Sequence, residues 1–450
     1  MRILIIGGVA AGPSAAAKAS RNQPDAEIVL YERDRYISYS ACGMPFYLTG
    51  ELTDFQQIVP RSPDDFQRQY GVKVLTEHEV LKIDPERHRI LVRRLADQML
   101  FEDQYDRLII ATGARAVRLP VRGHNFPNVF TLRTPGDILQ IERYIKDNQP
   151  RHAAIIGSGA IGLEMAESLS RLGLDLTIIE REAEPAPAFS PLISRQIRTC
   201  LQGHQIHLVT DATVSEITGD DRARQICFTG REPVPADLVL VAVGIRPETK
   251  LALSAGISCG SGGAIRVNDT MQTSQPDIYA CGDCCEIRSV IDGSPIYHPQ
   301  GTTANKTGRV AGDAATGGSL TFDGAAGTVI FRLFDLTVAM TGLTEQQATE
   351  RGFIVRRADV SSPDRPYGMG GRKLTIDAIA DRANGRILGA QAVGAAGVDK
   401  RIDVLATAIT AGISAASLAN LDLAYAPPYA SVRDPVTYLG MQFGSDKRND

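Results

Sequence analysis

A chain of 450 residues is too long for one hydrophobic core, so two or three domains are expected. Hydrophobic residues make up 43% and charged residues 22%, the balance of a globular protein and not of a disordered or fibrous one. The formal net charge of −4 gives no basic face for nucleic acid, and seven cysteines, odd in number and mostly scattered, argue against a secreted disulfide framework.

The chain opens MRILIIGGVAAG, an apolar stretch too short to cross a bilayer and without a signal-cleavage pattern. It predicts a buried strand entering a turn, in a cytoplasmic protein with no membrane partner. The first segment reads as a strand over Arg2–Ile6, the turn Gly7-Gly8-Val9-Ala10-Ala11-Gly12, a helix over about residues 13–21, and a strand over Glu27–Tyr31 that ends at Glu32. The design recurs with Ala153–Ile156, the turn Gly157-Ser158-Gly159-Ala160-Ile161-Gly162, a helix to about Leu172, and Leu176–Ile179 ending at Glu180.

Small residues in such a turn let backbone amides approach a pyrophosphate, which then sits at the positive end of the following helix. The acid closing the second strand accepts hydrogen bonds from a ribose diol. One turn of this kind is weak evidence, but two in strand–turn–helix context predict two dinucleotide sites on one polypeptide. Glu180 would repel a 2′-phosphate and so favours NADH, while Arg181 beside it leaves NADPH open.

Between the two turns lies Ser38-Tyr39-Ser40-Ala41-Cys42-Gly43-Met44-Pro45-Phe46-Tyr47. A helix starting at Gly43 and running to Leu48 would place Cys42 at its N-terminus, where free amides and the helix dipole favour a thiolate. The alternative is a buried, inert cysteine. Apolar runs at 105–114 and 236–244 end in glycine, as buried parallel strands do beneath a cofactor, and the run at 277–283 ends in Asp283. Cys281, Cys284 and Cys285 cluster there, but two adjacent cysteines do not readily face one tetrahedral ion, so packing and no metal site are expected.

From about residue 326 the pattern changes to strands near Ala326–Leu333, Val338–Thr341, Phe353–Asp359, Arg372–Asp381 and Gly385–Val393, then a helix over about 398–413. The expected fold is α/β, with two Rossmann-like dinucleotide-binding domains and a C-terminal α+β dimerisation domain. The boundaries read as 1–114 with 245–325, then 115–244, then 326–450.

Taken together, these motifs resemble the FAD-dependent pyridine nucleotide-disulfide oxidoreductases over essentially the whole chain. Two-cysteine members carry a CxxxxC pair where this chain has Cys42 and Tyr47, so the resemblance is to the single-cysteine branch: coenzyme A-disulfide reductases, NADH oxidases, NADH peroxidases and persulfide or polysulfide reductases. The resemblance implies that FAD is bound by Gly7, Gly8, Ala10, Ala11, Gly12, Glu32, Arg33, Val80, Ala111, Thr112, Gly113, Gly282, Asp283, Gly301 and Ala304. It implies that NADH is bound by Gly157, Gly159, Ala160, Ile161, Gly162, Glu164, Glu180 and Gly244, with Glu164 near the nicotinamide.

For the reaction, the resemblance implies that Cys42 exchanges electrons with the flavin and with a small disulfide, persulfide or polysulfide, coenzyme A disulfide or persulfide leading. Tyr425 and Tyr367 match tyrosines that the partner subunit of a homodimer brings to the sulfur, with packing at the dimer interface as their alternative. Ser38, Tyr39, Arg21 and His298 are implied to line the substrate, although Arg21 also reads as solvated surface and His298 as a solvent-facing loop residue. Related oxidases and peroxidases carry a histidine at the position of Ala10, which weakens that reading. Ala41, Tyr70 and Tyr367-Gly368-Met369-Gly370-Gly371 depart from the coenzyme A-disulfide reductase pattern, which puts coenzyme A itself in doubt. An NADH-dependent electron-transfer reductase needing no cysteine is the remaining alternative.

Overall fold

The computed structural model describes residues 1–445, so the last five positions of the expected third unit lie outside the described residues. Helices run over Ala11–Asn22 (α1), Met44–Leu48 (α2), Pro63–Tyr70 (α3), Pro135–Asn148 (α4), Ala160–Arg171 (α5), Pro191–Gly203 (α6), Lys250–Ser254 (α7), Gly301–Ala315 (α8), Glu345–Glu350 (α9), Val398–Thr410 (α10) and Pro435–Ser445 (α11). None of the described helices is long and apolar enough to cross a membrane.

Arg2–Ile6 is apolar after its first residue and buried, and it becomes the central strand of a parallel sheet. Glu27–Tyr31 and Arg107–Ile110 pair with it on either side, and Lys73–Leu75 and Ile278–Ala280 form the edges. A second parallel sheet repeats this around His152–Ile156, flanked by Asp175–Ile179 and Leu238–Val241, with His207–Val209 and Val129–Phe130 at its edges. Antiparallel three-stranded sheets over 78–104 and 214–235 accompany them.

The third sheet is antiparallel, in the order 329–333, 336–342, 387–394, 373–381, 355–363. Helices α10 and α11 pack on it. All five expected strands are present with shifted ends, and α10 stops at Thr410 because Gly412 turns with φ of +66°. Helix α1 starts at Ala11, two residues before expectation, since Pro13 lies in the first turn, where its missing N–H has no intrahelical partner to lose.

Both glycine turns share one close approach. Gly7 has φ of +110°, and a Cβ there would lie 2.2 Å from the Ala111 carbonyl oxygen. Gly157, with φ of +102°, meets the Ala242 carbonyl oxygen at 2.5 Å in the same way. Each first strand can therefore run directly into a helix only through glycine.

The apolar residues do not divide along the sequence. Met44, Leu48 and Ile58, which lie between strands of the first sheet in the chain, are buried with Ile138, Leu163 and Leu169 of the second unit and with Phe331, Leu333 and Val338 of the third. The segment carrying Cys42 is thus mounted on the second and third units.

Helices α1 and α8 cross in backbone contact: a Cβ on Gly308 would lie 2.3 Å from the Ala11 carbonyl oxygen. Gly308→Val is expected to destabilise the fold by roughly 1–3 kcal/mol, read as a lower midpoint in urea unfolding.

Candidate active site

Every residue expected to contact FAD through a strand end lies at the C-terminal edge of the first parallel sheet, where doubly wound sheets open a crevice. Gly7 follows Arg2–Ile6, Glu32 follows Glu27–Tyr31, Ala111, Thr112 and Gly113 follow Arg107–Ile110, and Gly282 and Asp283 follow Ile278–Ala280. The buried Glu32 carboxylate accepts from the amides of Gly8, at 2.6 Å, and Asp34, at 2.8 Å. Burial pushes its carboxyl up, and the two amides oppose that shift.

The first turn of α1 has no side-chain cap, with Ala10 at its N-cap position and Ala11 and Gly12 inside it. Its amides face the crevice as anion donors. Ser38 is held at φ of +50° with its amide on the Gly8 carbonyl, at 2.8 Å, and its hydroxyl is buried without a protein partner. An uncapped helix start, a turn closed to side chains and an orphaned hydroxyl beside it fit a bound dinucleotide. Gly301 begins α8, a second helix without a side-chain cap, and Ala304 is buried on it. Arg33 is exposed, and Val80 is half-buried on the 78–84 strand.

The second crevice differs in how its acid is held. Glu180 is buried and accepts from both the amide of Ser158, at 3.0 Å, and its hydroxyl, at 2.6 Å. The Ser158 hydroxyl in turn accepts from the Ala186 amide at 3.0 Å. Arg181 pairs with Glu182 at 3.0 Å, so its charge is engaged away from Glu180. Gly159 caps α5 without a side chain, Ala160 opens the helix, Ile161 is exposed, Gly162 packs on the Gly157 carbonyl, and Gly244 turns with φ of +109° after its strand.

Cys42 sits in a 3-10 turn, Ala41–Gly43, ahead of α2, and is exposed to the cleft. The expected thiolate is not what the surrounding protein favours. Partial desolvation by the cleft walls and the nearby Glu164 carboxylate push the thiol up, and α2 has five residues with which to oppose them. The opposing cation is Arg133, which the sequence reading missed because it lies in the loop before α4, outside any glycine turn. Its guanidinium donates to Asp283 at 2.7 Å and to the Ala114 carbonyl at 3.2 Å.

Glu164, on the second turn of α5, has its carboxyl pushed up to about 7 by burial and by Glu167, against the pull of Arg332. Tyr39 is half-buried, and desolvation pushes its phenol well up. His298 is half-buried in a loop: burial pushes it down, and Asp283 opposes this. Cys284 and Cys285 are buried and point at the carbonyls of Ile110 and Gly282.

Arg21 is exposed, with its guanidinium 5.9 Å from the centre of the Tyr70 ring, and Arg61 stands 6.0 Å from the same ring. Tyr367 and Tyr425 are 71% and 53% exposed on the third unit. Their loops are tied together by Arg365, which donates to the Pro428 carbonyl at 3.3 Å. The buried Arg401 joins Asp434 to the Asp364 carbonyl, both at 2.7 Å.

Residues 1–305 match the family described as pyridine nucleotide-disulphide oxidoreductase, and residues 328–435 match its dimerisation domain. The chain belongs to this family. It is 35% identical to the NAD(P)H sulfur oxidoreductase (CoA-dependent) of Pyrococcus furiosus, over 97% of this chain and 98% of the relative. It is 34% identical to the NADH oxidase of Methanocaldococcus jannaschii, over 97% of each chain. Among solved structures, the NAD-dependent persulfide reductase from A. fulgidus is 37% identical and superposes with a TM-score of 0.96, over 100% of this chain and 84% of that one.

Because Glu164 titrates higher in the folded chain than when unfolded, its protonated form is the one the fold prefers. The stability this carries is present at low pH and is lost as pH rises through about 7. Glu164→Gln is therefore expected to unfold at a higher temperature than the parent at pH 8 and to differ little at pH 5, read by thermal melts.

Proposed function

We propose that this chain is an FAD-dependent NADH oxidoreductase that reduces a small disulfide or persulfide through Cys42. The observation that supports this reading is one exposed cysteine in its segment, close enough to Glu164, Arg133 and Asp283 to feel the charge of each, with Arg133 paired to Asp283. Tyr47, where two-cysteine relatives have a second sulfur, instead donates its hydroxyl to Glu142 at 3.2 Å. Held by the α1 turn, Glu32 and Asp283, FAD would supply the two-electron chemistry that links NADH to a disulfide on Cys42.

The chain's own groups then manage binding and protons. The uncapped starts of α1 and α5 would bind the two pyrophosphates, and Glu32 and Glu180 would bind the ribose diols. Cleavage of a mixed disulfide between Cys42 and the substrate consumes an electron pair and a proton for each sulfur released. The Glu164 carboxyl, pushed up to about 7 and near enough to Cys42 to act on its charge, can hold a proton for the departing sulfur. Ser38 and Tyr39, close before Cys42 in the chain, and His298, which feels the charge of Asp283, are the side chains assigned to the substrate.

Arg21 and Arg61, gathered on Tyr70, supply two cations for the phosphates of a coenzyme A moiety. The family match over 328–435 and the exposed Tyr367–Tyr425 rim support a homodimer in which these tyrosines reach the partner's site and hold the departing thiolate. The M. jannaschii relative's name keeps oxygen as a second acceptor to assay.

Cys42→Ser is expected to leave NADH reduction of the bound flavin within about twofold and to lower disulfide and persulfide turnover by about a thousandfold or more. Anaerobic stopped-flow and steady-state assays against coenzyme A disulfide, persulfide, polysulfide and peroxide measure both. Retained turnover in this variant overturns the proposal. Glu180→Ala is expected to narrow the NADH over NADPH preference by about tenfold in kcat/KM.

A further inference from the structure

Beneath the site, two acids and two arginines close a ring. The buried Glu167 on α5 accepts from Arg171, one turn along the same helix, at 2.7 Å, and from Arg332 of the third unit at 2.9 Å. Its other oxygen accepts the Phe334 amide at 2.6 Å. Glu51, just beyond α2, takes Arg332 through both oxygens, at 2.5 and 3.0 Å, and Arg171 at 3.0 Å. The Arg332 guanidinium also lies 4.8 Å from the centre of the Phe46 ring, within α2, and Ser168 donates to the Pro45 carbonyl at 3.1 Å.

We propose that Arg332 is a positioning residue for Cys42: by joining Glu51 to Glu167 it fixes α2, and the cysteine ahead of it, in register with α5 and Glu164. The proposal rests on Cys42 as the reacting sulfur. A helix of five residues does not hold its own position, and beyond its contacts with the segment that follows it, such as Tyr47 with Phe55, it is held by α4, α5 and the third unit. Helix α5 is different, because its start is locked by Gly157 and Gly162 against the second sheet. Loss of the ring would therefore shift α2 against α5, and leave the nicotinamide turn in place. Arg332 enters from the 329–333 strand, so the unit that matches the dimerisation domain is wired to the cysteine by charge as well as by the contacts of Phe331 and Leu333.

The test compares Arg332→Gln, Arg332→Lys and the milder Glu51→Gln in the holoenzyme. Two readouts are taken: the two half-reactions separately, and the rate of Cys42 alkylation by iodoacetamide. A misplaced reacting atom costs rate without removing any catalytic group, so disulfide turnover should fall about tenfold or more in Arg332→Gln, with NADH reduction of the flavin within about twofold. Alkylation of Cys42 should change by about threefold or more, since thiol reactivity follows its surroundings. Lysine, lacking the two-pronged donor, should restore part of both, and Glu51→Gln should show the same pattern at smaller amplitude. Unchanged alkylation with unchanged turnover, or an equal fall in both half-reactions, overturns the proposal. Because alkylation reads Cys42 directly, this failure is distinct from a failure of the proposed activity, which the Cys42→Ser assays report.

Discussion

Helix α2 has five residues, and so the placement of the cysteine ahead of it depends on what Met44, Pro45 and Leu48 are buried against. Met44 and Leu48 are buried in a core shared with the second and third units, and the Pro45 carbonyl accepts from Ser168 of α5, although the strands before and after them in the chain belong to the first sheet. The flavin crevice and the sulfur beside it therefore rest on different scaffolds. Relative placement of those scaffolds sets the distance from the crevice to the sulfur, which in the proposed reaction is the path of an electron pair. The charge ring of Glu51, Arg171, Glu167 and Arg332 stands at this junction, with the Glu167 carboxylate buried. Leaving that charge unpaired would cost several kcal/mol, on the order of 3–5.

The two dinucleotide crevices are copies in backbone and diverge in side chains. In the first, Glu32 is held by amides alone, which leaves its remaining capacity for a ribose diol. In the second, the Ser158 hydroxyl links Glu180 to the Ala186 amide, so the acid is fixed in direction as well as in place. A fixed carboxylate at the ribose is a stronger barrier to a 2′-phosphate than one that can swing away.

Electrostatics at Cys42 favour keeping protons in the cleft. Desolvation, Glu164 and Asp283 push the thiol up, Arg133 and a backbone hydrogen bond oppose them, and burial pushes the Glu164 carboxyl up to about 7. Such a cleft suits the reductive cleavage of a sulfur–sulfur bond, because each released sulfur takes up a proton. The helix start alone favours a thiolate, and the cleft walls and carboxylates work against that preference.

The sequence by itself determined the strands of both parallel sheets, both glycine turns with their acids, and the change to an α+β pattern after about residue 326, and it singled out Cys42 as the candidate. These are local matters: apolar periodicity, residues without a Cβ at forced positions and one cysteine in a distinctive segment are written in consecutive residues. Tertiary structure decided the rest. Arg133 comes from the loop before α4 and meets Asp283 from 150 positions away, a distance no motif spans. Arg332 joins Glu51 and Glu167 from three separate parts of the chain, and the upward push on Cys42 is a sum over carboxylates and buried walls that only the folded chain brings together. Charge and desolvation act through space, so their effect on the cysteine could not be read from its neighbours in sequence.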